Sequence, residues 1–177
     1  YRVDLWLAGE RRRLSAAAAK ALEQLRGSDV NVQEVSTPHD WESLIATYGG
    51  GQGVIVDGVL GTGIRGPARG PAAGAIQFIN SLRDSGPVVA VDIPSGLDAD
   101  TGAAEADTVH ADLTVTMGLP KRGLIMPSAL EHVGTVEVAD IGLSDDLVAQ
   151  VASDLELMTA TDARRLVPRR RRQSHKG

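Results

Sequence analysis

The sequence predicts an α/β fold, a three-layer sandwich built on a mostly parallel sheet. Short apolar runs, such as Val54-Ile55-Val56 and Val88-Val89-Ala90-Val91, stop at an aspartate and then break into glycine or proline. Buried strands read this way. Helical stretches separate the first four runs, the pattern of parallel strands joined by crossovers. Aromatic residues make up only 3% of the chain, so the core must come from Val, Leu, Ile and Ala. That composition suits parallel strands covered by helices.

Each element has its own signal. Arg2–Ala8 alternates like a strand. Ser15 can cap a helix over Ala16–Leu25, with Gly27 ending it. Asn31–Val35 is a short strand, and Asp40 is expected to cap a helix over Trp41–Tyr48. Gly49, Gly50 and Gly51 break the chain before a strand over 53–56. A glycine-rich loop spans Gly58–Gly70, and Pro71 opens a helix to about Asp84, where its missing N–H is no loss. Ala75, Phe78, Ile79 and Leu82 share one face of that helix. Strands follow at 87–91, Leu113–Met117 and Gly134–Ala139. The strand pattern is lost over 151–163, and Pro168-Arg169-Arg170-Arg171-Arg172 reads as a linker.

The 177 residues suffice for one domain with a real core, and 42% apolar with 23% charged residues is ordinary for a globular protein. There is no cysteine, which excludes disulfides and thiolate metal sites. No apolar stretch is long enough for a membrane-spanning helix and no signal-peptide pattern opens the chain, so a cytoplasmic location is the expectation. Charge is uneven. Seven of the 18 basic residues lie from Arg164 onward, leaving 11 against 23 acids before it, a net −12. Such a body does not attract nucleic acid, and the basic tail lacks the aromatic residues that stack on bases. Both ends, Tyr1 and Ser174-His175-Lys176-Gly177, suggest a segment of a longer polypeptide.

Several residues could carry chemistry. Gly61-Thr62-Gly63-Ile64-Arg65-Gly66-Pro67 follows a strand and precedes a helix, where backbone N–H groups can approach a phosphate. A tight strand-to-helix turn without a ligand gives the same pattern. Asp57 and Asp92 each end a strand. Together at one rim of the sheet they could hold a cation or move a proton; singly, each could cap its own loop. The Ser95 hydroxyl could ligate a hard cation or serve a turn. Lys121 could meet a phosphate, donate a proton, or lie solvated in its loop. His39, His110, His132 and His175 show no metal-ligand spacing.

Four motifs resemble the NAD(P)H-hydrate epimerase family, the YjeF N-terminal domain. They are Asp57-Gly58-Val59-Leu60-Gly61-Thr62-Gly63, Val91-Asp92-Ile93-Pro94-Ser95-Gly96-Leu97-Asp98, Gly118-Leu119-Pro120-Lys121 and Val138-Ala139-Asp140-Ile141-Gly142. The likeness covers roughly residues 1–145. It implies a Rossmann-like fold, interconversion of the R and S forms of hydrated NADH and NADPH as small-molecule substrates, and a potassium ion as cofactor. By the same resemblance Asp57 and Ser95 are potassium ligands, and Gly61, Thr62, Gly63, Ile64, Arg65, Gly66, Pro67 and Asp92 contact the hydrated nucleotide. Asp57, and after it Lys121, are the expected proton-transfer groups. The family's Asn-Asn-Gly-Gly-Asp-Gly loop, which supplies another potassium ligand, would lie upstream of Tyr1, so this chain is expected to carry part of the site.

Leu166-Val167-Pro168-Arg169 through Gly177 resembles the opening of the NAD(P)H-hydrate dehydratase domain, which uses ADP or ATP. The expected organisation is an epimerase-like domain over 1–156 lacking its N-terminal part, with a linker and the start of a dehydratase over 157–177. No nucleic-acid or membrane partner is expected, and a homo-oligomer is left open. The alternative function is a non-catalytic Rossmann-like scaffold that binds a nucleotide or a protein.

Overall fold

A computed structural model describes residues 2–48, 51, 53–151, 155, 158 and 160–167. Two compact units divide the chain, Tyr1–Ile141 and Gly142–Gly177. The first holds six strands: β1 (Asp4–Ala8), β2 (Asn31–Val35), β3 (Ile55–Asp57), β4 (Val88–Val91), β5 (Leu113–Met117) and β6 (Thr135–Ala139). All pairings between these strands are parallel. β1 pairs with β2, and β3-β4-β5-β6 form a second ladder in that order. Helices α1 (Ala16–Gln24), α2 (Pro38–Tyr48), α3 (Pro71–Ser81) and α4 (Leu130–Val133) connect or flank them. This is the Rossmann-like α/β class.

The two ladders share a core. Val35 of β2 and Trp6 and Ala8 of β1 pack with Ile55 of β3 around Trp41 and Leu44 of α2 and Phe78 of α3. Trp6 meets Phe78 edge-on at 5.3 Å, so β1 lies under α3. Helices α2 and α3 pack on each other over this core through Trp41 and Phe78. A second cluster sets Ile76 and Ile79 of α3 on Val88 and Ala90 of β4. The third joins Ile93, Leu97 and Leu124 to Ala129 and Val133 beside Val136 of β6. All four residues assigned to the apolar face of α3 (Ala75, Phe78, Ile79, Leu82) are buried.

The Ser15 hydroxyl caps α1 as expected, accepting from the Ala18 N–H at 3.2 Å. Asp40 is not the cap of α2. Thr37 precedes that helix, its hydroxyl accepts from the Asp40 N–H at 3.2 Å, and the Asp40 carboxylate accepts from the Thr37 N–H at 2.9 Å. This reciprocal pair starts the helix at Pro38, three residues earlier than the sequence suggested. α3 stops at Ser81, and a single 3-10 turn, Arg83–Ser85, completes the stretch to strand β4. Single 3-10 turns also occupy Arg11–Arg13, Arg122–Ile125 and Pro127–Ala129.

In the second unit, α5 (Asp145–Gln150) is capped by the Ser144 hydroxyl, and α6 (Ala160–Leu166) follows. Pro168–Gly177 lies outside the described residues, so the linker reading of Pro168–Arg172 has no structural counterpart here.

Candidate active site

The candidate residues gather at the C-terminal ends of β3, β4 and β5, the edge where open parallel sheets bind ligands. They form two adjacent nodes joined by the segment Asp92–Gly96.

The first node is Asp57 with Ser95. Asp57 is the last residue of β3, paired in register with Ala90 and 0% exposed. Its Oδ2 accepts from the Ser95 N–H at 2.7 Å, and its Oδ1 accepts from the Ser95 hydroxyl at 2.6 Å and the Val59 N–H at 3.2 Å. The Ser95 Oγ in turn accepts from the Leu60 N–H at 2.8 Å, and the Leu60 carbonyl oxygen lies 3.3 Å from it. The node thus ties the start of the glycine loop to the turn after β4. Burial pushes the Asp57 carboxyl up, against the hydrogen bonds from Ser95 and Val59 that favour its anion. Among the described residues no cationic side chain offsets this charge.

Gly96 must follow Ser95 for a steric reason. Its φ is +94°, and a Cβ there would sit 2.4 Å from the Asp107 carbonyl oxygen.

The second node is Asp92 with Lys121. Asp92 is the one non-glycine among the described residues with positive φ, +71°. Its N–H still donates to the Val115 carbonyl at 2.8 Å, extending the ladder, but the chain then turns away from β5. The Asp92 carboxylate fills the space left, accepting from the Met117 N–H at 2.9 Å and from the Thr116 hydroxyl at 3.3 Å. Lys121 donates to Asp92, to Thr116 Oγ1 at 3.1 Å and to the Met117 carbonyl at 3.1 Å. Burial raises the Asp92 carboxyl, but the Lys121, Met117 and Thr116 bonds outweigh it and hold it below the usual carboxylate range.

Gly61, Thr62, Gly63, Arg65, Gly66 and Pro67 lie exposed on the loop before α3, with Ile64 half-buried. Val59, Leu60 and Ala68 anchor this loop on the core. Arg65 bonds Asp100 at 2.7 Å and reaches Asp98 at 3.5 Å. Asp57 and Asp92 share no hydrogen-bond partner among the described residues: one turns inward to Ser95, the other across to β5.

Sequence reasoning missed Thr116, Leu60 and the acids that hold Arg65. A signal for Thr116 was present. In Leu113-Thr114-Val115-Thr116-Met117 both threonines fall on the same face of a strand, and both are 0% exposed. Polar residues at buried positions of a parallel strand mark internal hydrogen bonding.

A Rossmann-like domain with carboxylates and a glycine loop at the C-terminal rim of its sheet belongs to the open α/β class, whose ligand sites lie at that edge. The comparison with known families is specific. Residues 1–123 match the family described as YjeF-related protein N-terminus, and the chain belongs to that family. It is 34% identical over 176 residues to a bifunctional NAD(P)H-hydrate repair enzyme Nnr of Coxiella burnetii, covering 99% of this chain and 34% of that protein. A protein of the same description from Moorella thermoacetica is 43% identical over 70% of this chain and 23% of its own length. An NAD(P)H-hydrate epimerase of Levilactobacillus brevis is 36% identical over 71% of this chain and 66% of its own length. The chain therefore spans about a third or less of the two bifunctional relatives. No helix among the described residues is long and apolar enough to cross a membrane.

Proposed function

We propose that this chain is the epimerase part of a nicotinamide-nucleotide repair protein, interconverting the R and S forms of hydrated NADH and NADPH. The carrying observation is the pair of nodes at one sheet edge beside the glycine loop, in a family whose matched relatives include an NAD(P)H-hydrate epimerase. We further propose the organisation expected from the sequence, an epimerase domain over 1–156 followed by a linker into an ADP-dependent dehydratase domain. Support for the fusion comes from the Coxiella relative, a bifunctional protein aligned over 99% of this chain.

In this reading the loop Gly61–Pro67 and Asp92 contact the nucleotide. Arg65 is the loop's cation, and it can trade its exposed acids, Asp98 and Asp100, for a phosphate. Inversion needs the C–O bond to the added hydroxyl, or the ring at the same carbon, to open and close again on the other face. One route supplies a proton to the departing hydroxyl, releases water as the ring nitrogen's pair forms a C=N bond, then re-adds water and returns the proton. Lys121, held at the rim on Asp92, can deliver such a proton. Asp57 is the other proposed proton-transfer group, a role open to it only while no cation is bound, when burial raises its carboxyl pKa.

Potassium fits the first node chemically. The Asp57 carboxylate, the Ser95 hydroxyl and the Leu60 carbonyl offer clustered oxygens, and the buried charge lacks a counter-ion among the described residues. A cation held by Asp57 and Ser95 would neutralise that charge and order the loop that starts at Leu60.

The test is chromatographic conversion of one pure epimer by the full-length polypeptide that carries this segment. Wild type equilibrates the two forms; Asp57→Ala and Lys121→Met slow it by about 10²-fold or more. Full rate in both variants overturns the assignment of these residues, and no conversion by wild type overturns the function.

A further inference from the structure

We infer that Thr116 is a positioning residue that aims one oxygen of Asp92 at the substrate and joins it to Lys121; this rests on the epimerase reading above. The geometry is asymmetric. Asp92 Oδ1 collects every hydrogen bond that its carboxylate receives from the described residues: from the Met117 N–H at 2.9 Å, from Thr116 at 3.3 Å and from Lys121. Oδ2 takes none of them, while the side chain as a whole keeps 26% of its surface exposed. One oxygen is pinned to β5 and the other is left free of those bonds, able to accept a hydrogen bond or a proton.

Thr116 controls that arrangement from below. It is 0% exposed, so its hydroxyl cannot trade bonds with water. That hydroxyl has one proton, given to Asp92, and an acceptor lone pair, given to Lys121 at 3.1 Å. With Asp92 and the Met117 carbonyl, it fills all three donor positions of the ammonium. The backbone adds a second constraint. Asp92 sits in the left-handed region, a conformation that persists when surrounding bonds over-determine it. Losing the Thr116 hydroxyl leaves Oδ1 with the Met117 and Lys121 bonds alone and takes an acceptor from the ammonium, so both groups are held less tightly in line. Proton transfer depends on such alignment, so the loss falls on turnover rather than on nucleotide binding.

Thr116→Val keeps the shape and removes the hydroxyl; Thr116→Ser keeps the hydroxyl. In the full-length polypeptide, the valine variant is expected to lower kcat for epimerisation by about tenfold, the scale of one hydrogen bond lost from an aligned network. KM and the thermal midpoint should stay close to wild type, and the serine variant should recover most of the loss. NMR titration of the Asp92 side-chain carboxyl gives a readout independent of activity, its midpoint rising in Thr116→Val and returning in Thr116→Ser. Unchanged kcat and titration in Thr116→Val overturn the inference, as does a serine variant as impaired as the valine one. If wild type epimerises nothing, yet the titration moves as stated, the function falls and the positioning of Asp92 stands.

Discussion

Asp57 holds its charge wholly inside the protein on three hydrogen bonds. Because burial raises its folded pKa above the unfolded value, its contribution to stability is complete below that unfolded value, about 3.9, and is lost as pH rises through the folded one. Near neutral pH the ionised form therefore costs stability, and a bound monovalent cation relieves it. Exchanging choline chloride for potassium chloride at fixed ionic strength should raise the thermal midpoint; at about 100 times Kd, binding adds ~2.7 kcal/mol. Asp57→Ala should not respond, and an equal response in the variant would place the ion elsewhere. His132 has the opposite slope. Burial, with the His110 ring stacked on it at 4.1 Å, holds its pKa below the ordinary imidazole value. The unfolded chain then binds protons more readily, so stability falls as pH drops below about 6.5. Urea midpoints at pH 7.5 and 5.5 should diverge in wild type and diverge less in His132→Gln. The sequence made the first node legible because an aspartate at a strand end and a serine after proline both sit at breaks in the apolar pattern. It hid Thr116, because threonine inside a strand also reads as an ordinary β-former.

At the scale of elements, the strands were the most legible part. β2 and β5 match their expected residues at both ends, because β-branched runs bounded by breakers leave little choice. The one-turn pieces between Arg122 and Val133 were not legible, since three or four residues cannot show helical periodicity. Nor was the start of α2, where Thr37 and Asp40 exchange roles that either residue type can fill. In α3 packing overrides propensity. Gly74 stands mid-helix, where alanine would normally gain roughly 1 kcal/mol. A Cβ there would lie 2.6 Å from Trp41 Cδ1 and 2.7 Å from Nε1, and Trp41 is itself buried against Phe78. Overpacking of this kind costs about 1–3 kcal/mol, so Gly74→Ala is expected to be destabilising by up to about 2 kcal/mol. Urea unfolding followed by tryptophan fluorescence reads this directly. A stabilised variant would mean that α2 can move away from α3 without loss.

At the scale of the whole molecule, core and charge are distributed differently. Every buried apolar residue among the described ones falls within Tyr1–Ile141, the last being Val133, whereas the basic residues concentrate from Arg164 onward. A chain ending at Ile141 should therefore still unfold cooperatively, with a urea midpoint near that of the full chain. It should also lose whatever attraction the full chain has for polyanions. The segment before Arg164 carries a net −12 and repels a phosphate backbone at long range, while the glycine loop offers two exposed cations, Arg65 and Arg69. A small nucleotide can use such a local pair; a nucleic acid, whose binding grows with the number of phosphates neutralised, gains little from it against the acidic body. On immobilised heparin, the full chain should elute early and at lower salt than a protein with a folded basic face, and the chain ending at Ile141 should pass unretained. Retention of the shortened chain would reveal a basic surface on the first unit and turn the rim of the sheet from a nucleotide site toward a polymer-binding one.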